Sequence, residues 1–339
     1  MKKIVIGIVL FHSLLSYAQK DDKTIVLSEI TEKVKRYYID KEAYKKVDSS
    51  FQSDLKKGVF NKLNKNDFAA LLAKKLRSDV KDYHFSFRYL ENYSPEKVVD
   101  EKEKEKLHDF HNSLENFGFE SVQRLEGNIG YINYKGFASS KSSAATLSAA
   151  MNFVANTSAL IIDLRENQGG DNEMLLLFCS YFFDKKTDLY TTYFRHNDST
   201  VVNSTQSDVL GAKYLHKKIY ILTSKSTFSA AEALAYFLQQ HKLAEVIGEK
   251  TPGAANPVDH FVIQNQYLLL VPTGKVSSLV NQKNWEHIGI SPDQEVKAKD
   301  ALKAAHSKIL KNIVKTETKT ELSPAEIKKL VHQLEQEIN

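Results

Sequence analysis

Four short segments carry the residue types that could do chemistry. The first is Leu222-Thr223-Ser224-Lys225-Ser226-Thr227-Phe228-Ser229-Ala230-Ala231-Glu232. An apolar run ends, polar residues turn the chain, and a helix is expected to open at Ser229 with small residues on its first turn. A serine at such a junction exposes its hydroxyl beside helix N–H groups that have no intrahelical partner. Those groups can stabilise the anion formed when the oxygen attacks a carbonyl. The same residues also spell a capping box, Ser229 with Glu232 three positions on, which requires no chemistry. The second segment, Leu160-Ile161-Ile162-Asp163-Leu164-Arg165-Glu166-Asn167-Gln168-Gly169-Gly170, is an apolar strand running into a polar loop. Its two glycines let bare backbone approach a ligand and donate N–H groups. Asp163 and Arg165 read as a structural pair that holds the loop.

The third segment is Thr251-Pro252-Gly253-Ala254-Ala255-Asn256-Pro257, after Val246-Ile247-Gly248-Glu249; the fourth is Asn284-Trp285-Glu286-His287-Ile288-Gly289-Ile290-Ser291-Pro292-Asp293. Elements that could position these segments are visible in the hydrophobic pattern. Between residues 28 and 76, Ile30, Val34, Tyr37 and Tyr38, then Phe68, Leu71, Leu72 and Leu76, recur at helical spacing. Residues 96–106 mix Lys and Glu and are expected to be a solvated, helical connector. From Gly127 the pattern changes. Strands are expected at 129–134, 159–164, 189–194 and 219–223, helices at 142–155, 172–183 and 229–241, and a hairpin at 261–272. Alternating strands and helices argue for an α/β core with a largely parallel sheet. Two more helices, at 301–314 and 324–338, follow. The expected division is therefore an N-terminal helical domain (19–95), a charged connector (96–126), an α/β core (127–300) and a helical C-terminal tail (301–339).

Bulk properties bound the function. Met1-Lys2-Lys3, an apolar run over 4–15 and small Ser16 and Ala18 before polar Gln19 match a secretory signal peptide spanning residues 1–18. The run is shorter than the roughly 20 residues a membrane helix needs. No Cys follows it, which argues against a lipid anchor. Export to a periplasmic or extracellular space is expected, without stable membrane insertion after cleavage. Lys plus Arg number 47 against 42 Asp plus Glu, and no basic block stands apart from acids, so a nucleic-acid partner is not expected. Cys179 is the only cysteine and sits in an apolar run, which makes it a core residue and rules out an intrachain disulfide.

In their order, these motifs make the chain resemble the tail-specific (C-terminal processing) serine peptidase family. Its landmarks appear as Gly130-Tyr131-Ile132, Asp163 to Gly170, Ser229 to Glu232, Gly248 to Gly253 and Gly289 to Asp293. The resemblance spans about residues 75 to 300. It implies a crotonase/Clp-protease-like ββα spiral core. One branch of the family pairs Ser with a Lys after the Gly-Glu-x-Thr-x-Gly motif and inserts a PDZ domain ahead of the core. Here Gly253-Ala254-Ala255 contains no Lys, and residues 90–127 are too short for a PDZ domain. The other branch, which includes the tricorn core peptidase and is echoed in interphotoreceptor retinoid-binding protein, uses Ser, His and Glu. Its Asp-x-His and Asn-Trp-Glu motifs match Asp82-Tyr83-His84 and Asn284-Trp285-Glu286.

The resemblance then implies roles. Ser229 is the nucleophile, His84 its general base, and Glu286 the carboxylate that orients the imidazole. N–H groups of Ala230 and of Gly169 or Gly170 form the oxyanion hole. Relatives join His and Glu through a Ser beside the His; here Tyr83 holds that position and Ser86 lies two residues past His84. His287 is an alternative base. Polypeptides are the expected substrates, with no cofactor and no metal. The alternative is a non-catalytic retinoid- or lipid-binding protein, or a scaffold, of the same fold.

Overall fold

The computed structural model describes residues 22–91 and 101–338. The expected signal peptide lies outside the described residues. Three helices come first, α1 (Asp22–Tyr37), α2 (Ala43–Lys56) and α3 (Lys65–Val80), followed by strand β1 (Ser86–Tyr89). Helix α4 (Glu101–Leu114) leads into β2 (Phe119–Leu125) and β3 (Ile129–Tyr134). Next are α5 (Ser140–Val154), β4 (Ala159–Asp163), α6 (Asn172–Ser180), β5 (Asp188–Phe194) and β6 (Ser199–Ser204). They are followed by β7 (Lys218–Thr223), α7 (Ala230–Gln240) and β8 (Ala244–Gly248). The hairpin β9 (Val258–Ile263) and β10 (Tyr267–Pro272), then β11 (Gly274–Ser278), β12 (Gln294–Glu295), α8 (Ala301–Lys315) and α9 (Pro324–Gln336), complete the order.

A six-stranded sheet, ordered β12-β8-β7-β4-β3-β2, forms the centre. All its pairings are parallel except β2 with β3. Side-chain alternation splits each strand between two layers. Leu160 and Ile162 of β4 pack with α5, α6 and α7, whereas Ile161 packs with α8. Both faces are covered, which is why these strands read as continuous apolar runs. Each fully buried Leu or Ile contributes about 1.5–3 kcal/mol. Cys179 is buried in the first layer. The result is the mixed α/β architecture expected.

A second core lies at the N-terminal end. The hairpin β9–β10 pairs through β10 with β1, and this small sheet packs on α1, α2 and α3. The N-terminal unit is therefore not purely helical, and it borrows residues 258–272 from the stretch assigned to the core. The apolar positions Ile263, Tyr267, Leu269 and Val271 are buried against those helices. In the other direction, β2 falls inside the stretch expected to be connector, yet it adds an edge strand to the main sheet. A separate antiparallel sheet, β11-β5-β6, covers α6 and α7 through Leu189, Tyr190 and Val276. Among the described residues no helix is long and apolar enough to cross a membrane.

Candidate active site

Ser229 sits where β7 gives way to α7. Its backbone has φ +54° and ψ −118°, a conformation that costs an L-residue about 1–3 kcal/mol and persists only when its neighbours enforce it. On one side, Phe228 donates its N–H to the Asn167 carbonyl at 3.0 Å. On the other, the Glu232 carboxylate accepts the Ser229 N–H at 3.0 Å. The capping box is present, but Glu232 does more than cap. Fully buried, it also accepts the Thr251 hydroxyl at 2.5 Å and the N–H groups of Gly253 and Ala254 at 2.8 and 2.9 Å. One carboxylate thus ties the Ser229 turn to the segment 251–254. Burial raises its pKa, and the four donors act against that rise.

The glycine loop abuts Ser229 directly. A Cβ on Gly169 (φ +88°) would stand 2.8 Å from both the Ala230 nitrogen and the Phe228 carbonyl oxygen, and 2.9 Å from the Ser229 Cβ. On Gly170 (φ +137°) it would stand 2.1 Å from the Phe137 oxygen. Only glycine fits at either place. Asn167 fixes this loop from inside the core, donating from Nδ2 to the Tyr134 carbonyl at 2.9 Å and accepting the Gly169 N–H on Oδ1 at 2.8 Å. The Gly169 N–H is thereby committed. The N–H groups of Gly170 and Ala230 are not engaged by any described residue, so of the two glycines only Gly170 has a donor to offer. Asn167 was not singled out from sequence; its only signal was its place between the strand and the Gly-Gly pair.

His84 arrives from the other core. Helix α3 ends at Lys81 in the left-handed conformation (φ +58°), which turns the chain into Asp82-Tyr83-His84. Phe85 is fully buried with its ring 4.9 Å from that of Tyr38, anchoring the turn. The His84 Nε2 lies 3.2 Å from Ser229 Oγ across 145 residues of sequence. Burial pushes the imidazole down to about 4, so the ring is neutral at physiological pH. Its Nδ1 is 3.8 Å from Asp82 Oδ1, beyond hydrogen-bond reach. Asp82, fully buried, instead accepts the His84 backbone N–H at 3.0 Å and the Tyr38 hydroxyl at 3.3 Å.

The Glu286 side chain is only 8% exposed, so it is not a surface carboxylate beside Trp285. Its Oε2 accepts the N–H groups of Ala255 and Asn256 at 2.6 and 3.0 Å, while its Oε1 has no hydrogen-bond partner. Burial first, then the charge of Asp82, raises its carboxyl to about 7. One ring nitrogen of His84 and one carboxylate oxygen each from Asp82 and Glu286 lie within 4.8 Å of one another. Among the described residues these three side chains form the one group able to share a small cation, although one ring nitrogen of His84 faces Ser229. His287, the alternative base, is half exposed, with Nδ1 3.6 Å from Glu286 Oε1; the imidazole at Ser229 belongs to His84. Tyr83, which holds the linking position of the family motif, is turned to solvent with 54% exposure, and Ser86 lies on β1. Asp163 and Arg165 do form the structural pair expected, with Arg165 Nε to Asp163 Oδ1 at 2.8 Å and Nη1 to the Ala298 carbonyl at 2.6 Å.

Ser229, His84, Gly170 and Ala230 open on a cleft of about 510 Å³. Its walls are mainly apolar, with Leu175, Tyr190, Ala233, Val276 and Trp285 among them.

Sequence and structure comparisons agree with one another. Residues 128–296 match Peptidase family S41. Carboxyl-terminal-processing peptidase 2, chloroplastic, of Arabidopsis thaliana is 28% identical over 166 residues, which cover 49% of this chain and 31% of that protein. This chain therefore spans about a third of that relative. A lipoprotein from Streptococcus agalactiae superposes with a TM-score of 0.59 at 16% identity, over 91% of this chain and 100% of that one. The tricorn protease superposes with a TM-score of 0.50 at 12% identity, over 93% of this chain and 37% of that one. At such identities the two structures are alike in fold.

Proposed function

Residues 128–296 belong to Peptidase family S41, and from that premise we propose that this chain is a serine endopeptidase that hydrolyses polypeptides through an acyl-enzyme on Ser229. The observation that carries the proposal is the 3.2 Å approach of His84 Nε2 to Ser229 Oγ at the N-terminus of α7. Neutral His84 takes the hydroxyl proton as Oγ bonds to the substrate carbonyl carbon. The carbonyl oxygen becomes an oxyanion and accepts the N–H groups of Gly170 and Ala230. As the tetrahedral adduct collapses, the C–N bond breaks and His84 returns its proton to the departing amine. Water, deprotonated by the same imidazole, then cleaves the ester and regenerates Ser229. Glu286 stabilises the imidazolium that forms in both halves.

Preference for C-terminal tails is supported by the motif resemblance to the tail-specific family and by the name of the Arabidopsis thaliana relative. Export rests on the composition of residues 1–18. A fluorophosphonate probe tests the core of the proposal. It labels Ser229 in the wild type, and labelling is lost in Ser229→Ala and falls by about 10⁴-fold in His84→Ala. Equal peptide hydrolysis by the wild type and Ser229→Ala overturns the enzymatic reading and leaves the lipid-binding or scaffold alternative.

A further inference from the structure

The cleft beside Ser229 is lined in part by a strand whose outer edge is paired with no described strand. Val258 and His260 line it, and both belong to β9, which pairs with β10 on one edge and with no described strand on the other. The phase of the β9–β10 ladder follows from one bond, in which Thr273 donates its N–H to the Pro257 carbonyl at 2.9 Å. Residues 257 and 273 are thus a hydrogen-bonded pair. In an antiparallel ladder such pairs alternate with non-bonded ones. The partners Val258 with Pro272 and His260 with Leu270 are therefore non-bonded pairs, which agrees with Pro272 having no N–H. The far edge gives the same phase: Leu90 donates to the Gln266 carbonyl at 2.7 Å, and Leu270 is paired with Ser86 of β1. Consequently the N–H and C=O groups of Val258 and His260 point away from β10.

We propose that the polypeptide substrate binds as an added β-strand along this free edge, its backbone bonded to the N–H and C=O groups of Val258 and His260. The inference rests on Ser229 being the nucleophile, and it assigns how the substrate chain is held. An extended peptide presents outward N–H and C=O groups every second residue, about 6.6–6.8 Å apart, the repeat of Val258 and His260. Strand addition takes its affinity from main-chain bonds and leaves side-chain choice to pockets. Here the pocket is the apolar surface of Leu175, Ala233, Val276 and Trp285. An unfolded segment with an apolar side chain at the scissile position fits this site; a folded surface loop or a helix does not present the required edge.

Wild-type enzyme and a peptide series decide the question. Single backbone N-methyl groups are placed at successive positions of a cleaved peptide, outside the scissile bond. KM rises about tenfold at alternate positions, the value of one neutral hydrogen bond, and changes little at those between. Uniform tolerance of N-methylation overturns the proposal. A second measurement compares His260→Pro, which deletes an N–H that β10 does not use, with His260→Ala, which keeps it. KM rises further in His260→Pro than in His260→Ala, with a smaller change in kcat; equal values in the two variants overturn it. Absence of probe labelling at Ser229 in the wild type is a separate failure, that of the peptidase reading itself.

Discussion

His84 and Glu286 come from segments about 200 residues apart in the sequence and meet inside the protein with one hydrogen-bonding atom each unsatisfied, Nδ1 of the imidazole and Oε1 of the carboxylate. Asp82 stands with them, and burial first, then the charge of Asp82, raises Glu286 to about 7. The carboxylate form is the one that stabilises an imidazolium. Activity therefore increases as pH rises through about 7 and declines below it, where Glu286 gains a proton. In Glu286→Gln that limb of the pH profile disappears and kcat falls by about 10²- to 10⁴-fold. An unchanged limb in the variant would assign it to another group.

Glu232 is the hidden support of the turn that carries Ser229. Glu232→Ala strands three backbone N–H groups and the Thr251 hydroxyl in the core. A stability loss of about 3–5 kcal/mol is expected from chemical denaturation. Glu232→Gln, which keeps two acceptor lone pairs on one oxygen, loses less. A variant as stable as wild type would mean that the segment 251–254 is held by other contacts.

Gly169→Ala places a methyl against Ala230, Phe228 and Ser229 at a left-handed φ. The loop must retreat from the helix start, which separates the donors of Gly170 and Ala230. Peptide hydrolysis drops about 10²- to 10³-fold, the usual cost of losing one oxyanion donor. Retained kcat in a folded variant counts against these two amides as the oxyanion hole.

Arg195, in the turn between β5 and β6, donates to the carbonyls of Tyr38, Lys35 and Arg36 at 2.8 to 2.9 Å. It closes the end of α1 and so fastens the unit that carries His84 to the one that carries Ser229. Arg195→Ala lowers kcat about tenfold with little change in KM, and Arg195→Lys recovers part of it. Wild-type kcat in Arg195→Ala would show that the hairpin β9–β10 suffices to dock the two units.

Much of the scaffold was legible because its cause is local. The α/β alternation, the start of α7 at Ser229 and the glycine loop follow from side-chain periodicity and from residues that only certain backbone angles tolerate. The strand β2 was hidden behind the charged residues of α4, which set the apparent character of the whole stretch. The sheet β11-β5-β6 was missed in part because β6 is mostly polar, and its Val201 and Val202 are exposed rather than buried. The hairpin at 258–272 was visible as a hairpin, but its partner helices lie some 200 residues earlier, and pattern alone does not say where an apolar face will dock.

By itself, the sequence determined the residue types at the site, the order of the motifs and the elements that present them, because each depends on neighbours within a few positions. Tertiary structure alone decided which atoms remain free. That Gly169 spends its N–H on Asn167 while Gly170 and Ala230 keep theirs, that Tyr83 turns outward, and that β10 leaves the backbone groups of Val258 and His260 unused beside the cleft all depend on contacts across long separations. Hydrogen bonds reach only about 3 Å, so availability of a donor is set by the final packing and by nothing shorter in range.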